Sequence, residues 1–222
     1  MNKKILITSA AFTGFGIANA IVFIVLACLN IAPSISFGNI YSILLIFLYF
    51  LAVWAPVLLT LIFKINFNLP LIIAYELFVI LALVVGCLWS VYDMTSVYDK
   101  VVHLASGILL AMLAYNLITE TKGNTLSPVW IFILALSFSM LLGGFWEICE
   151  FSFDTFLGEN TQHWMGFEGR DVLMDTMYDI ICDFIGGIVG GVSVVLYAKY
   201  KQKKSVVAKS SAVAEVEQCS IS

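Results

Sequence analysis

Six apolar runs follow one another along this 222-residue chain, each about 18 to 28 residues long, the length an α-helix needs to cross a bilayer. A backbone in hydrocarbon must satisfy its own hydrogen bonds, so runs of this kind fold as helices or not at all. Only 12% of the residues are charged and 61% are hydrophobic, too little charge to cover a water-soluble domain of this size. The expected fold class is therefore all-α, a polytopic membrane protein with six transmembrane helices. The spans are expected near 5–29, 39–63, 69–92, 101–118, 128–150 and 176–198. They form one domain over 1–204, followed by a small, polar and disordered tail over 205–222, SVVAKSSAVAEVEQCSIS. Pro70 and Pro128 fall at helix starts, where a missing backbone donor costs nothing.

The opening MNKK and the Ala18-Asn19-Ala20 triplet resemble a signal peptide with its cleavage site. The apolar run continues to Cys28, however, so a retained first span is the expectation. Cys28, Cys87, Cys149 and Cys182 lie in apolar segments and Cys219 in the tail, with no CxxC spacing. Neither a disulfide framework nor a zinc ribbon is indicated.

Basic residues set the expected orientation. Lys3, Lys4, Lys64, Lys122, Lys199, Lys201, Lys203, Lys204 and Lys209 all fall on one side of the six-span layout. That side is read as cytoplasmic and holds both termini. The other side keeps only Lys100 and Arg170, yet it collects most of the acids: Asp93, Asp99, Glu147, Glu150, Asp154, Glu159, Glu168, Asp171, Asp175, Asp179 and Asp183. His103 and His163 join them. Acids contribute little to topology, so this concentration points to a single polar site at the outer face.

The acids recur at helical spacing. In YDKVVHLASG (98–107), Asp99 and His103 lie one turn apart. In GGFWEICEF (143–151), Glu147 and Glu150 share a face. In GRDVLMDTMYDIICDFIGG, Asp171, Asp175, Asp179 and Asp183 recur every fourth residue, a stripe that drifts by about 40° per step and runs about 18 Å. A charged side chain at mid-bilayer costs about 2.5–3.5 kcal/mol on insertion scales. Such acids are expected to face inward around water, a cation or a substrate. A divalent cation is the one cofactor this donor set suggests.

The chain also echoes itself. YDKVVHLASG and YDIICDFIGG (178–187) align as Tyr-Asp-x3-[His/Asp]-x3-Gly, and GCLWSVYD (86–93) aligns with GGFWEICE (143–150). Spans 3–4 and 5–6 thus read as two versions of one helical hairpin in the same orientation, related by an axis along the membrane normal. The alternative is that interfacial Trp and packing Gly recur in membrane helices without duplication. If the repeat is real, Asp99 and His103 face Asp179 and Asp183 across a pseudo-twofold.

The stretches YDKVVHLASG, WEICEF and GRDVLMDTMYDIICDFIGG resemble, in order and spacing, the motifs of the YjdF-like family of uncharacterised bacterial inner-membrane proteins. A lesser likeness, through Asp99-Lys100-x2-His103 and Asp179-x3-Asp183-x2-Gly186, is to VanZ-like membrane proteins. There Asp183 stands where asparagine is preferred and Glu150 where glutamine is. The first resemblance implies a multi-pass helical protein of the bacterial cell membrane and brings no activity with it.

Candidate catalytic residues are Asp99, His103, Glu147, Asp175 and Asp179; candidate metal ligands are Asp99, His103, Glu147, Glu150, Asp179 and Asp183. Asp171 is expected to cap its helix. Arg170 either grips a phosphate or carboxylate or pairs with Glu168 and Asp171. His163 is expected to be an exposed loop residue without a fixed partner. Glu76, nearer the cytoplasmic end of span 3, is expected to make one interhelical hydrogen bond. Gly186, Gly187, Gly190 and Gly191 read as small residues that let helices approach. FSFDTFLGEN (151–160) is a lid at the interface or a plain loop.

No Gly-x-Ser-x-Gly elbow, P-loop or HExxH is present, and no basic stripe suggests nucleic acid. Three functional classes fit: metal-assisted hydrolysis or transfer on a lipid or envelope substrate, a cation- or proton-coupled transporter, or a non-catalytic accessory membrane protein. The expected partners are the lipid bilayer and a lipid, small-molecule or ion substrate.

Overall fold

The computed structural model describes residues 2–29, 40–122 and 125–221. Every regular element among the described residues is a helix, with no strand. Helices α1 (Lys3–Cys28), α2 (Ile40–Phe63) and α3 (Leu69–Val79) come first. The last continues as a wider π-helix over Ile80–Leu88. A short α4 (Val91–Met94) links to α5 (Ser96–Lys122), α6 (Pro128–Leu157) and α7 (Asp171–Ile221). Six of these helical segments are long and apolar enough to cross a membrane, which meets the six-span expectation. The expected start of the second span at residue 39 lies outside the described residues.

Local sequence explains most of the boundaries. Asn68 caps α3 by accepting from the Leu71 amide, with Pro70 in the first turn. Pro128 opens α6, and Gly158 closes it in the left-handed region at φ 73°. The third span stops at Leu88, short of the expected residue 92, because Ser90 turns the chain at φ 53°. Tyr92 then folds back so closely over Gly86 that a Cβ there would lie 2.2 Å from the ring. Helix α7 begins at Asp171 and runs on through the segment expected to be disordered, as far as Ile221.

Two bundles share the chain. In the first, α1, α2 and the third span pack around Phe23, Tyr49, Val53, Val79 and Val84. In the second, α5, α6 and α7 pack around small residues, Ala111, Ala114 and Ala135, with Tyr115, Ile131 and Val194. A third cluster, Ile5, Val57, Phe67, Leu71, Ile72 and Leu109, joins the bundles toward the lysine-rich end. Outside, Phe47, Ile62, Leu141 and Leu196 lie open, as lipid-facing side chains do.

Among the described residues the contact between α5 and α7 is the most extensive between two helices. A Cβ on Gly186 would lie 2.3 Å from the Leu104 carbonyl oxygen, and one on Gly107 would lie 2.5 Å from that of Asp183. Here glycine is required because backbone meets backbone. That approach sets the acid stripe of α7 directly against Asp99 and His103.

Candidate functional site

The positions that the internal echo equates meet each other across the α5–α7 contact. His103 Nδ1 lies 3.0 Å from Asp183 Oδ2. Gly107 packs on Gly186 and Gly187. Asp99 and Asp179 both reach the ammonium of Lys100, at 3.2 and 2.7 Å. Asp99 and His103 thus stand against Asp179 and Asp183, the juxtaposition that the echo predicts.

His103 stands at the centre and is buried. Its Nδ1 donates to the Asp183 carboxylate, which also accepts from the Ser106 hydroxyl at 2.6 Å. This fixes both the ring plane and the direction of Nε2. Around Nε2 lie Asp99 Oδ1 at 3.7 Å, Glu147 Oε1 at 3.7 Å and Asp179 Oδ1 at 3.9 Å. These distances are too long for hydrogen bonds. Both oxygens of Glu147 and Asp179 Oδ1 are buried and have no hydrogen-bond partner among the described residues. Helix α6 brings Glu147 to this point, and Gly143 one turn earlier gives room for Asp183: a Cβ there would fall 2.5 Å from its Oδ2.

Toward the surface lies a second layer. Lys100 Nζ touches Asp99, Asp175 and Asp179 together. Asp175 also meets His163 Nδ1 at 3.2 Å, so His163 is half-buried and partnered, contrary to the expectation of a free loop residue. The hydrogen bond to Asp175 raises the imidazole pKa above its ordinary value, against a smaller opposing effect of burial. The segment between α6 and α7 is anchored by Asp154, which accepts from the Thr161 amide and hydroxyl, both at 2.7 Å, and from the Gln162 amide at 3.0 Å. Gln162 in turn donates to Thr176. This part of the loop is tied over the acidic end of α7.

The sequence-derived candidates separate by environment. Asp99, His103, Glu147, Asp179 and Asp183 form one cluster, its carboxylates and imidazole buried. Asp175 lies a turn further out, on Lys100 and His163. Glu150 is buried beside the cluster; its Oε1 accepts from the Trp146 indole at 2.7 Å, and its Oε2 is without a partner. Arg170 and Asp171 are exposed. Lys100, Ser106, Trp146 and His163 were not among the candidates. The one signal for Lys100 was its place beside Asp99. Donor atoms of Asp99, His103 and Asp179 all lie within 4.8 Å of one another, as do those of Asp99, His163 and Asp175. Either set has the span to enclose a cation.

Glu76 stands apart in the first bundle, fully buried, with the Ser9 hydroxyl 3.3 Å from Oε1 and no partner for Oε2. It makes the single interhelical hydrogen bond expected of it.

No curated protein and no solved structure matches the chain. A family described as predicted membrane protein (DUF2238) matches over residues 17–201, which takes in four spans whole, parts of the first and last, and every residue of the buried cluster. The chain therefore belongs to the DUF2238 family of predicted membrane proteins, the YjdF-like family that its motifs resemble.

Proposed function

We propose that the buried cluster is a divalent-cation site held by Asp99, His103, Glu147 and Asp179. In this reading it serves metal-assisted hydrolysis or transfer on a lipid or envelope substrate, at the outer face of a bacterial cell membrane with both termini cytoplasmic. The observation that carries the reading is the surroundings of His103 Nε2. Three carboxylate oxygens lie 3.7–3.9 Å from it, two of them without any hydrogen-bond partner. Ligands about 2.1 Å from a shared tetrahedral ion stand about 3.4 Å from one another; the donors of Asp99, His103 and Asp179 already lie within 4.8 Å of one another, and Glu147 would close on them from α6. Buried carboxylates left to themselves would carry a penalty that a cation removes.

Outer groups are arranged as such a centre needs. Metal-binding histidines usually donate their other ring N–H to a carboxylate. Asp183 supplies that acceptor and Ser106 orients it in turn. Asp183 is therefore assigned to orientation and not to ligation. Glu150, bonded to the Trp146 indole, is likewise outside the ligand set. An imidazole among carboxylates suits a borderline ion such as zinc, iron or manganese better than calcium, which takes oxygen ligands.

A bound cation would supply Lewis acidity and a more acidic water. The chain's own residues supply the rest. Glu147, with one oxygen toward His103 and the other unengaged, is placed to take a proton. Lys100 carries a fixed positive charge at the mouth of the site, where an anionic group such as a phosphate would arrive. Asp175, with Asp99 and Asp179, holds the Lys100 ammonium in place.

The test is metal analysis of purified protein, wild type against His103→Ala and Asp179→Asn. Wild type is expected to carry near-stoichiometric metal, and both variants to lose it. Unchanged metal content in the two variants sinks the reading. Bound metal without turnover of lipid phosphates would retain the site and move its role to cation transport.

A further inference from the structure

Between the third span and α5 lies an apolar cleft of about 480 Å³, lined by none of the residues of the acidic cluster. Ala74, Phe78 and Leu81 line one wall, and Ala105, Ile108 and Met112 the other. Polar clamps hold the two helices together near each end. At the acidic end the Tyr98 hydroxyl donates to the Leu81 carbonyl at 2.7 Å. At the lysine-rich end the Asn68 side chain and amide donate to Asn116 Oδ1 at 2.7 and 3.1 Å. The helices are tied near both ends, and the small side chains of Ala74 and Ala105 leave room along the groove between them.

We propose that this cleft binds one acyl chain of a bilayer lipid. Its walls belong to the spans Leu69–Leu88 and Ser96–Thr121, so it sits at hydrocarbon depth. It offers water no hydrogen-bonding partners. Leu77, 54% exposed, stands at its mouth and makes the cleft continuous with the lipid-facing surface. An acyl chain is the occupant that the bilayer itself supplies at this depth, and the apolar lining asks for no polar one. The clamps make the site ready-formed, so the chain bears little of the cost of opening it.

The experiment uses the full chain in phosphatidylethanolamine/phosphatidylglycerol vesicles doped with a phosphatidylcholine that carries a diazirine in its acyl chain. After irradiation, adducts are mapped by peptide mass spectrometry. Adducts are expected to concentrate on residues 74–85 and 105–112, above the level at the open lipid-facing positions Phe47 and Leu141. Ala105→Phe, which fills the cleft, should lower them severalfold there and leave Phe47 and Leu141 unchanged. Ile108→Ala, which widens the cleft without adding bulk, should keep or raise them. Even labelling across all lipid-facing positions overturns the proposal, and so does labelling indifferent to both substitutions. Ready disulfide formation between copies of Leu77→Cys also overturns it, by making a second chain the occupant. Metal content measured on the same preparations keeps the two readings apart: cleft-specific adducts on metal-free wild type break only the cation site, and bound metal with even labelling breaks only the cleft.

Discussion

Gly186 in α7 meets the Leu104 carbonyl of α5, whereas Gly16 in α1 meets the ring of Tyr49 in α2. Both glycines make a close helix contact, but one abuts backbone and the other a side chain. The difference runs through the two bundles. Where α5 and α7 touch, the positions of His103, Asp183 and Ser106 follow from the backbones, which cannot shift apart without losing the whole seam. In the first bundle large side chains fill the space, and its one buried carboxyl, Glu76, is served by a single serine hydroxyl. Tight backbone contact is what lets a membrane bundle hold many polar atoms at defined distances. Side-chain packing holds a bundle together with more latitude.

The sharpest way to break that comparison is Gly186→Leu. A side chain against a backbone carbonyl has nowhere to go, so its cost should exceed the about 1–3 kcal/mol of ordinary overpacking. Loss of the monodisperse folded protein by size exclusion is expected. Gly144→Ala, which meets nothing within 4 Å, should be silent in the same assay. If Gly186→Leu folds normally, the seam does not organise the site.

Asp183→Ala comes next in size. It removes the acceptor for Nδ1 and should lower metal affinity about 10- to 100-fold, read by competition with a chelator. Asp183→Asn should lose less, since an amide oxygen still accepts from the ring. Equal losses would make Asp183 a ligand and not an orienting group.

On the other side of the comparison, Gly16→Ala should cost about 1–3 kcal/mol. It displaces Tyr49 and its 3.2 Å bond to the Phe12 carbonyl, and thermal melts would show it. Metal content should not change. A collapse as severe as that of Gly186→Leu would erase the distinction between backbone and side-chain contact. Glu76→Gln should fall within about 1 kcal/mol of wild type, because the amide oxygen still accepts from Ser9. A large loss of stability would mean that Glu76 has a charged partner.

The smallest effect concerns His163. Its pairing with Asp175 raises the folded-state pKa, so the contribution is fully present below the unfolded imidazole value. It fades as pH rises through the raised one. Anchoring of the loop between α6 and α7, followed by protease nicking near Gly166, should therefore loosen over that window. His163→Ala should flatten the dependence.

The six spans were legible because hydrocarbon allows a long apolar run only one backbone conformation. Asp99, His103, Glu147, Asp179 and Asp183 were legible as a group because intramembrane acids need company and helical spacing placed them at one end. Lys100 was not legible as their partner. It follows Asp99 directly, about 100° around the helix, and only the approach of α7 hands it Asp175 and Asp179. His163 depended on a loop whose path turns through positive φ at His163, Gly166 and Gly169, which no periodicity announces. The division between the ring around Nε2 and the bond at Nδ1 was equally hidden. All these acids look alike in the sequence, and only distance sorts them.

The sequence by itself determined the class of fold, the number of spans and the end at which the charges gather, since each follows from the cost of polar groups in lipid. The tertiary structure alone decided which carboxylate orients the histidine, which ones ring its free nitrogen, and where the lysine sits. Those roles depend on differences of about an ångström, and helix packing sets such differences where composition and periodicity do not.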